Sequence, residues 1–264
     1  MKFKDKIIWI TGAASGIGEA LAYRSVQYGG KLILSDIDEP GLSRVVETCA
    51  SSGADVLNLP LDLSSRESIE RAAELAMEHF GRVDVLINNG GVSQRSMTWE
   101  TPLEVDRRIM DINFFGAVIL TKAILPQMME RGSGYIAATS SITGKFGFPL
   151  RSAYAASKHA TQGFFETLGL ELSGRNISVT IAMPGRVRTN ISLNALTRDG
   201  TPHGKMDPGQ AAGIPAERCA KKYLDAIFKR KREVLIGGKE LTMVHIRRFL
   251  PAVFYRMARK IRPE

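Results

Sequence analysis

From residue 6 to about 236 the chain alternates short, β-branched apolar runs with longer stretches of helical period. The runs at 6–10, 31–35, 54–59, 83–88, 134–139, 177–182 and 233–236 are near-continuously apolar, as strands buried on both faces are. Between them, 15–28, 39–51, 65–80, 103–131, 152–173 and 215–231 are each long enough for a crossover helix. This order predicts an α/β fold: a doubly wound parallel sheet of about seven strands with helices on both faces. No linker and no repeat interrupts the pattern, and the Gly/Pro/Asp-rich stretch 197–213 reads as a loop. One domain over 1–240 is expected, followed by an extension over 241–264.

Composition changes this picture little, since 44% apolar and 24% charged residues are ordinary for a globular protein. The apolar runs are broken by Gly, Asp or Arg well short of the ~18–20 residues of a membrane-spanning helix, so no span is expected. The basic start of the chain leads into an apolar stretch too short for a leader, which reads as a first strand. Cys49 and Cys219 cannot form a disulfide framework, and a reducing, cytoplasmic setting is expected. Charge is more informative. The chain carries 36 Lys and Arg against 27 Asp and Glu, a net +9, but residues 229–264 alone hold eleven basic side chains against three acidic ones. The basic character therefore belongs to the C-terminal segment.

Directly after the first strand, Thr11-Gly12-Ala13-Ala14-Ser15-Gly16-Ile17-Gly18 places glycines ahead of a helix. Glycines there permit a tight turn and close backbone approach to a pyrophosphate, whose charge meets the helix N-terminus. That position turns a weak glycine motif into a Rossmann-type cofactor site. Asp36, at the end of the second strand, is placed to accept hydrogen bonds from both adenosine ribose hydroxyls and to repel a 2′-phosphate, so NAD is favoured over NADP. Neither Ile37 nor Ala14 supplies a compensating positive charge. Asp62, beside Leu63 after the third strand, is a candidate acceptor for the adenine amino group, although Asp beside Ser64 and Ser65 is also a helix-capping pattern. Tyr154 and Lys158, four apart on a helix, share one face, and an ammonium near a phenol favours the phenolate, as a proton-transfer catalyst needs.

Taken together, the glycine turn, Asn88-Asn89-Gly90-Gly91, Asn113, Ser141, the Tyr154/Lys158 pair and Pro184-Gly185-Arg186-Val187-Arg188-Thr189 closely resemble the short-chain dehydrogenase/reductase family in order and spacing. The resemblance covers about residues 5–240, and the stretches 88–96 and 152–160 look most like hydroxysteroid-dehydrogenase-like members. It implies a hydride-transferring oxidoreductase acting on a secondary alcohol or ketone. Tyr154 would be the general acid/base, and Lys158 would lower the Tyr154 pKa and bind the nicotinamide ribose. Ser141 would donate to the substrate oxygen, with Ser140 as the rival, and Asn113 would hold a water linking Lys158 to solvent. Gly12, Ser15, Gly16, Ile17, Gly18, Asp36, Asp62, Leu63, Asn88, Asn89, Gly90, Pro184, Gly185, Val187 and Thr189 would line the cofactor, the last two at the carboxamide. The family usually has Ala where Gly91 stands, an exchange expected to matter little. A homodimer or homotetramer built on the helices after strands four and five is also implied.

Four histidines show no ligand spacing, and no metal is expected. Substrate choice is expected to lie in 142–150, with Phe146 and Phe148, and in a lid-like 190–214, favouring a lipophilic substrate unless the two phenylalanines pack as core. Arg186 and Arg188 stand ready either for an anionic substrate or for the cofactor diphosphate. A non-catalytic dinucleotide-binding or membrane-peripheral scaffold is the alternative, but an intact Asn113, Ser141, Tyr154 and Lys158 set favours an enzyme. In the extension, Ile246, Phe249, Leu250, Val253, Phe254, Met257 and Ile261 recur at helical spacing opposite Arg247, Arg248, Arg256, Arg259 and Lys260, with a break at Pro251. This basic amphipathic pair is expected either to pack across the substrate pocket or a neighbouring subunit, or to rest on an anionic membrane. Nucleic acid is not an expected partner, because no recognition motif accompanies the charge.

Overall fold

A computed structural model describes residues 3–259. In chain order the elements are β1 (Ile7–Thr11), α1 (Gly16–Gln27), β2 (Lys31–Ser35), α2 (Glu39–Ser51), β3 (Val56–Asn58), α3 (Arg66–Phe80), β4 (Val85–Asn88), α4 (Leu103–Met110), α5 (Gly116–Arg131), β5 (Gly134–Thr139), α6 (Ser152–Glu171), β6 (Ile177–Pro184), α7 (Pro208–Ala211), α8 (Ala216–Phe228), β7 (Glu233–Ile236), α9 (Thr242–Phe249) and α10 (Pro251–Ala258). The sheet has seven parallel strands in the order β3-β2-β1-β4-β5-β6-β7. Strand order reverses between β1 and β4, and above the carboxyl ends of such strands a doubly wound sheet opens a crevice.

Side chains alternate across the sheet and so build two cores. Ile8, Ile10, Leu32, Leu34, Val85 and Ile87 pack with Leu21, Leu42, Tyr223 and Ile227 on the α1/α2/α8 side. Ile7, Trp9, Ile33 and Leu86 pack with Ile69, Leu120, Ile124 and Phe165 on the α3/α5/α6 side. Covering both faces is what requires the inner strands to be apolar at every position. The edges depart from that rule: in β3 Val56 and Leu57 are half-buried and Asn58 is exposed, while β7 begins on exposed Glu233.

The expected single helix over 103–131 is divided, because α4 and α5 are joined by a π-helical turn, Asp111–Phe115, that carries Asn113. As one 29-residue unit it is apolar enough by length and composition to cross a membrane, contrary to the sequence expectation. Gly116 and Lys122 break its apolar runs but do not lower the average enough. Its Ala117, Leu120, Ile124 and Met128 lie in the second core, so one face of it packs on the sheet.

The extension also differs from its prediction. Leu241, Met243, Val244, Ile246, Phe254 and Ala258 pack on Ile142 and Phe146, with the Phe146 and Phe254 rings 5.0 Å apart. Phe249, Leu250, Val253 and Met257 are exposed. The single apolar face read from the periodicity is thus split within each helix: Ile246 packs while Phe249 is exposed, and Phe254 is buried while Val253 and Met257 are exposed. Lys260 and Ile261, assigned to the two faces, lie outside the described residues.

Candidate active site

The crevice above the strand ends is a cavity of about 700 Å³ that runs from Asp36 and Asp62 past the glycine turn to Ser141, Tyr154 and Lys158. At the glycine turn, Gly12 (φ 67°) and Gly16 (φ 60°) have left-handed backbone that favours glycine. A Cβ on Gly12 would stand 2.7 Å from the Gly90 Cα, so the β1 and β4 ends close together only because both residues lack side chains. Gly18 does not line the cavity; a Cβ there would sit 1.9 Å from the Gly12 carbonyl oxygen, and its bareness seats α1 against the turn. Asn89 fastens the arrangement, donating from Nδ2 to the Thr11 oxygen at 3.0 Å, while Thr11 Oγ1 accepts from the Asn89 and Gly90 N–H groups. The Asp36 carboxylate is aimed by two backbone donors, Ala14 N at 3.0 Å and Asp38 N at 3.1 Å. Asp62 and Leu63 line the cavity too, with Asp62 Oδ1 held by the Ser64 N–H at 2.8 Å, while Ser65 caps α3.

Two predicted positions face elsewhere. Asn88 is turned into the core, donating to Thr121 Oγ1 at 3.0 Å, and is absent from the cavity wall. A strand alternates sides, so of the Asn88–Asn89 pair only Asn89 meets the cavity. Asn113 likewise lies behind the wall: Oδ1 accepts from Val92 N at 2.8 Å, and Nδ2 donates to the Val92 oxygen at 2.9 Å and to Ser157 Oγ at 3.0 Å. Its side chain ties loop 90–93 to α6, using the register slip that a π-turn provides. Gly91 matters more than expected, since a Cβ there would stand 2.8 Å from Asn113 Oδ1 and 3.4 Å from Lys158 Nζ.

Tyr154 is buried beside Ser141. Burial raises the phenol pKa, and the Ser141 hydroxyl, then the Arg151 and Arg95 guanidiniums, act against that rise. Lys158 Nζ donates to the Thr139 oxygen at 2.9 Å and stands 5.7 Å from the Tyr154 ring centre. Burial lowers this ammonium to about 8. Ser140 turns the other way, donating to the Lys158 oxygen at 2.9 Å, so Ser141 is the serine that reaches Tyr154. At the far wall are Pro184, Gly185, Val187 and Thr189. Gln210 of the lid donates to the Val187 oxygen and to Thr189 Oγ1, so the segment after β6 and the lid share one hydrogen-bond cluster.

The short chain dehydrogenase family model matches residues 6–199. Dehydrogenase/reductase SDR family member 7B of Mus musculus is 42% identical over 99% of this chain and 83% of its own length. The chain belongs to the short-chain dehydrogenase/reductase family. A Drosophila melanogaster SDR family protein 7-like relative is 38% identical over 95% of this chain and 78% of its own length. Among solved structures, a short-chain dehydrogenase/reductase from Burkholderia phymatum in complex with NAD superposes with TM-score 0.85 at 27% identity, covering 100% of this chain and 98% of that one. Levodione reductase superposes with TM-score 0.80 at 27% identity, over 91% and 99% of the two chains. Family membership makes the chain an oxidoreductase of the nicotinamide-binding class.

For a family site, several supporting residues lay outside the sequence reading. Gln94, fully buried, accepts the Ala153 and Tyr154 N–H groups on Oε1 (2.9 and 3.3 Å) and donates from Nε2 to Ser96, Thr101 and Ser152. It supplies from afar the cap that Arg151, at the N-cap of α6, does not. Arg44 donates to the Ala14 oxygen at 3.0 Å and pairs with Glu19 at 2.6 Å, which puts a positive charge beside the glycine turn. Arg95 and Arg151 both pair with Asp207 on the Tyr154 side of the cavity. Arg186 lines that cavity, whereas Arg188 borders a separate shallow cleft with Glu19 and Arg44. Phe146 and Phe148 both line the cavity, and Phe146 is also core. Among the described residues no group of three or more His, Cys, Asp or Glu side chains is arranged to hold a metal ion.

Proposed function

We propose that the protein transfers a hydride between NAD and a secondary alcohol or ketone on a largely apolar frame, with Tyr154 as general acid/base. The observation that carries this reading is the buried Tyr154 phenol set beside Ser141, its ring centre 5.7 Å from Lys158 Nζ, in a cavity continuous with the glycine turn and Asp36. Residues of that wall fit a dinucleotide: Gly12, Ser15, Gly16 and Ile17 around the diphosphate, Asp36 at the adenosine ribose, Asp62 and Leu63 at adenine, and Asn89, Gly90, Pro184, Gly185, Val187 and Thr189 toward nicotinamide. When bound, the nicotinamide ring supplies or accepts the hydride. Tyr154 gives a proton to the carbonyl oxygen, or takes one from the carbinol, and Ser141 donates a hydrogen bond to the same oxygen as charge develops on it. Lys158, near 8, exchanges protons close to neutral pH and keeps positive charge beside Tyr154 below that value. Ile142, Phe146, Phe148 and Met243 give the substrate end its apolar wall.

NADH and NADPH affinities, compared by fluorescence titration at fixed salt, test the cofactor assignment. Preference for NADH is expected from the backbone-aimed Asp36 carboxylate. Preference for NADPH would overturn it and shift attention to Arg44. Binding of neither would overturn the oxidoreductase reading.

A second reading concerns the outer side of α9 and α10, where Phe249, Leu250 and Arg256 are exposed and the Arg248 guanidinium lies 5.6 Å from the Phe249 ring centre. We propose that this face rests on an anionic lipid surface, the partner that suits apolar tips ringed by arginines. The full chain should sediment with phosphatidylglycerol vesicles more than the Phe249→Ser/Leu250→Ser variant does. Equal sedimentation would remove the reading, and a mass change in light scattering would assign the face to a second copy. Self-association through the α5 and α6 side is proposed separately on exposed Phe115 and Leu170, with light scattering as its test.

A further inference from the structure

The substrate side of the cavity holds more buried positive charge than its own carboxylates neutralise. Asp207, on the lid, accepts from Arg95 through Nε at 3.3 Å and through Nη2, and from Arg151 Nη2 at 2.9 Å. Two guanidiniums thus share one carboxylate, with Arg95 almost entirely buried and the Arg151 side chain only 13% exposed. Glu240, the other carboxylate of this wall, is engaged by the Arg186 and Gly238 backbone N–H groups.

The two arginines are unequal. Arg95 is committed, its Nη1 donating also to Ser93 Oγ at 2.9 Å and to the Gln94 oxygen at 2.6 Å. Arg151 makes only the Asp207 bond and a long 3.4 Å contact from Nη1 to the Pro149 oxygen. Its Nε–H and one N–H on each terminal nitrogen have no partner among the described residues. The guanidinium lies over the Phe148 ring, 5.0 Å from its centre, and it lines the same cavity as Tyr154, three residues along the chain. Burial, and then repulsion from Arg95, bring its pKa down to about 10, with Asp207 opposing. A half-buried guanidinium with spare donors at the cavity wall offers them to a ligand, and its planar fork matches a carboxylate or phosphate.

We infer that the substrate carries an anionic group, a carboxylate or a phosphate monoester, which Arg151 holds while the reacting carbon lies at Tyr154. Arg95 and Asp207 orient Arg151, and the three residues together carry one net positive charge. Phe146 and Phe148 line the same end, so the substrate class is an anion on an apolar carbon frame. This rests on the oxidoreductase reading above, with Arg151 as its specificity residue. It gives the substrate anion to Arg151, where the sequence had left an anionic substrate and the cofactor diphosphate both open for Arg186 and Arg188.

The experiment has a binding arm and a turnover arm. Octanoate and octyl phosphate are titrated against octanol on the NADH-loaded protein by calorimetry, for wild type, Arg151→Gln and Arg151→Lys. At least one anion should bind ~tenfold or more tightly than octanol, as a charge-assisted bond to a buried guanidinium does. Arg151→Gln should remove most of that preference and Arg151→Lys should restore part. The carboxylate and phosphate arms show which anion is meant. No preference in wild type, or a preference that survives Arg151→Gln, overturns the proposal. In the turnover arm, a medium-chain methyl-ketone carboxylate is compared with its methyl ester. The ratio of their kcat/KM values should exceed ~10 through KM and fall toward one in Arg151→Gln. Turnover of neither ketone would count against the oxidoreductase reading while leaving the binding arm to decide the anion. If Arg151→Gln folds poorly, Arg151→Lys alone decides: the anion preference over octanol should fall severalfold, and an unchanged preference overturns the proposal.

Discussion

The two ends of one cavity are built by different means. The cofactor end is made from strand termini and the turns that leave them, and its key contacts are backbone ones: Gly12 against Gly90, Asp36 against two N–H groups, Thr11 against loop 89–90. The substrate end is made from side chains brought together across the whole chain, among them Arg95 to Asp207, Gln94 to the start of α6, and Phe146 to Phe254. A backbone-built site tolerates change only where no side chain intrudes. A side-chain-built site can be respecified residue by residue, provided each buried polar group keeps a partner.

The sharpest test of that division is Tyr154→Phe, which removes the proton-transfer group where the two ends meet. Turnover should fall by about 10²–10⁴ while NADH affinity is retained, because the lost hydroxyl faces substrate. Steady-state kinetics paired with fluorescence titration checks both halves of the statement. Next in size is the contrast within the extension. Phe254→Ala should cost about 3 kcal/mol of docking, since Phe254 is 1% exposed against Phe146, whereas Phe249→Ala should stay within about 0.5 kcal/mol. Hydrogen exchange of the amides of α10 distinguishes the two.

Gly12→Ala attacks the backbone-built end and should cost about 2 kcal/mol from its left-handed conformation and the contact with Gly90. The loss should appear in NADH affinity as well as in the melting temperature; a change in stability alone would mean that the turn does not shape the cofactor site. A last test lies in pH dependence. Above pH 8 the folded chain releases the Lys158 proton, while the unfolded chain keeps it to about 10.5, so this group makes stability rise with pH. Tyr154 works oppositely above pH 10, because the folded phenol keeps its proton longer than the unfolded one. Lys158→Met should therefore lose the gain between pH 8 and 10, measured as the change in melting temperature relative to wild type.

Much of the cofactor end was legible because its information is local. Apolar runs give the strands, a glycine turn sits between one strand and one helix, and Asp36 ends the next strand. The Tyr154/Lys158 spacing was legible for the same reason, being one turn of a helix. What the sequence could not show lies at places where neighbours in sequence diverge in space. Asn88 and Asn89 face opposite sides of a strand, Asn113 spends its amide on Val92 and Ser157, and the extension's apolar positions divide between core and surface within each of its helices. Gly91, read as a neutral exchange, leaves room that Asn113 and Lys158 use.

By itself, then, the sequence determined the layered α/β architecture, the order of its elements and the glycine turn between the first strand and its helix, since hydrophobic period and glycine placement act over a few residues. Only the tertiary structure decided which arginine is left with unused donors, which amide caps α6 and which phenylalanine of the extension is buried. Arg95 and Asp207 are 112 residues apart and Gln94 and Ala153 are 59 apart. Contacts of that separation follow from how the sheet and its helices pack, and no local periodicity encodes them.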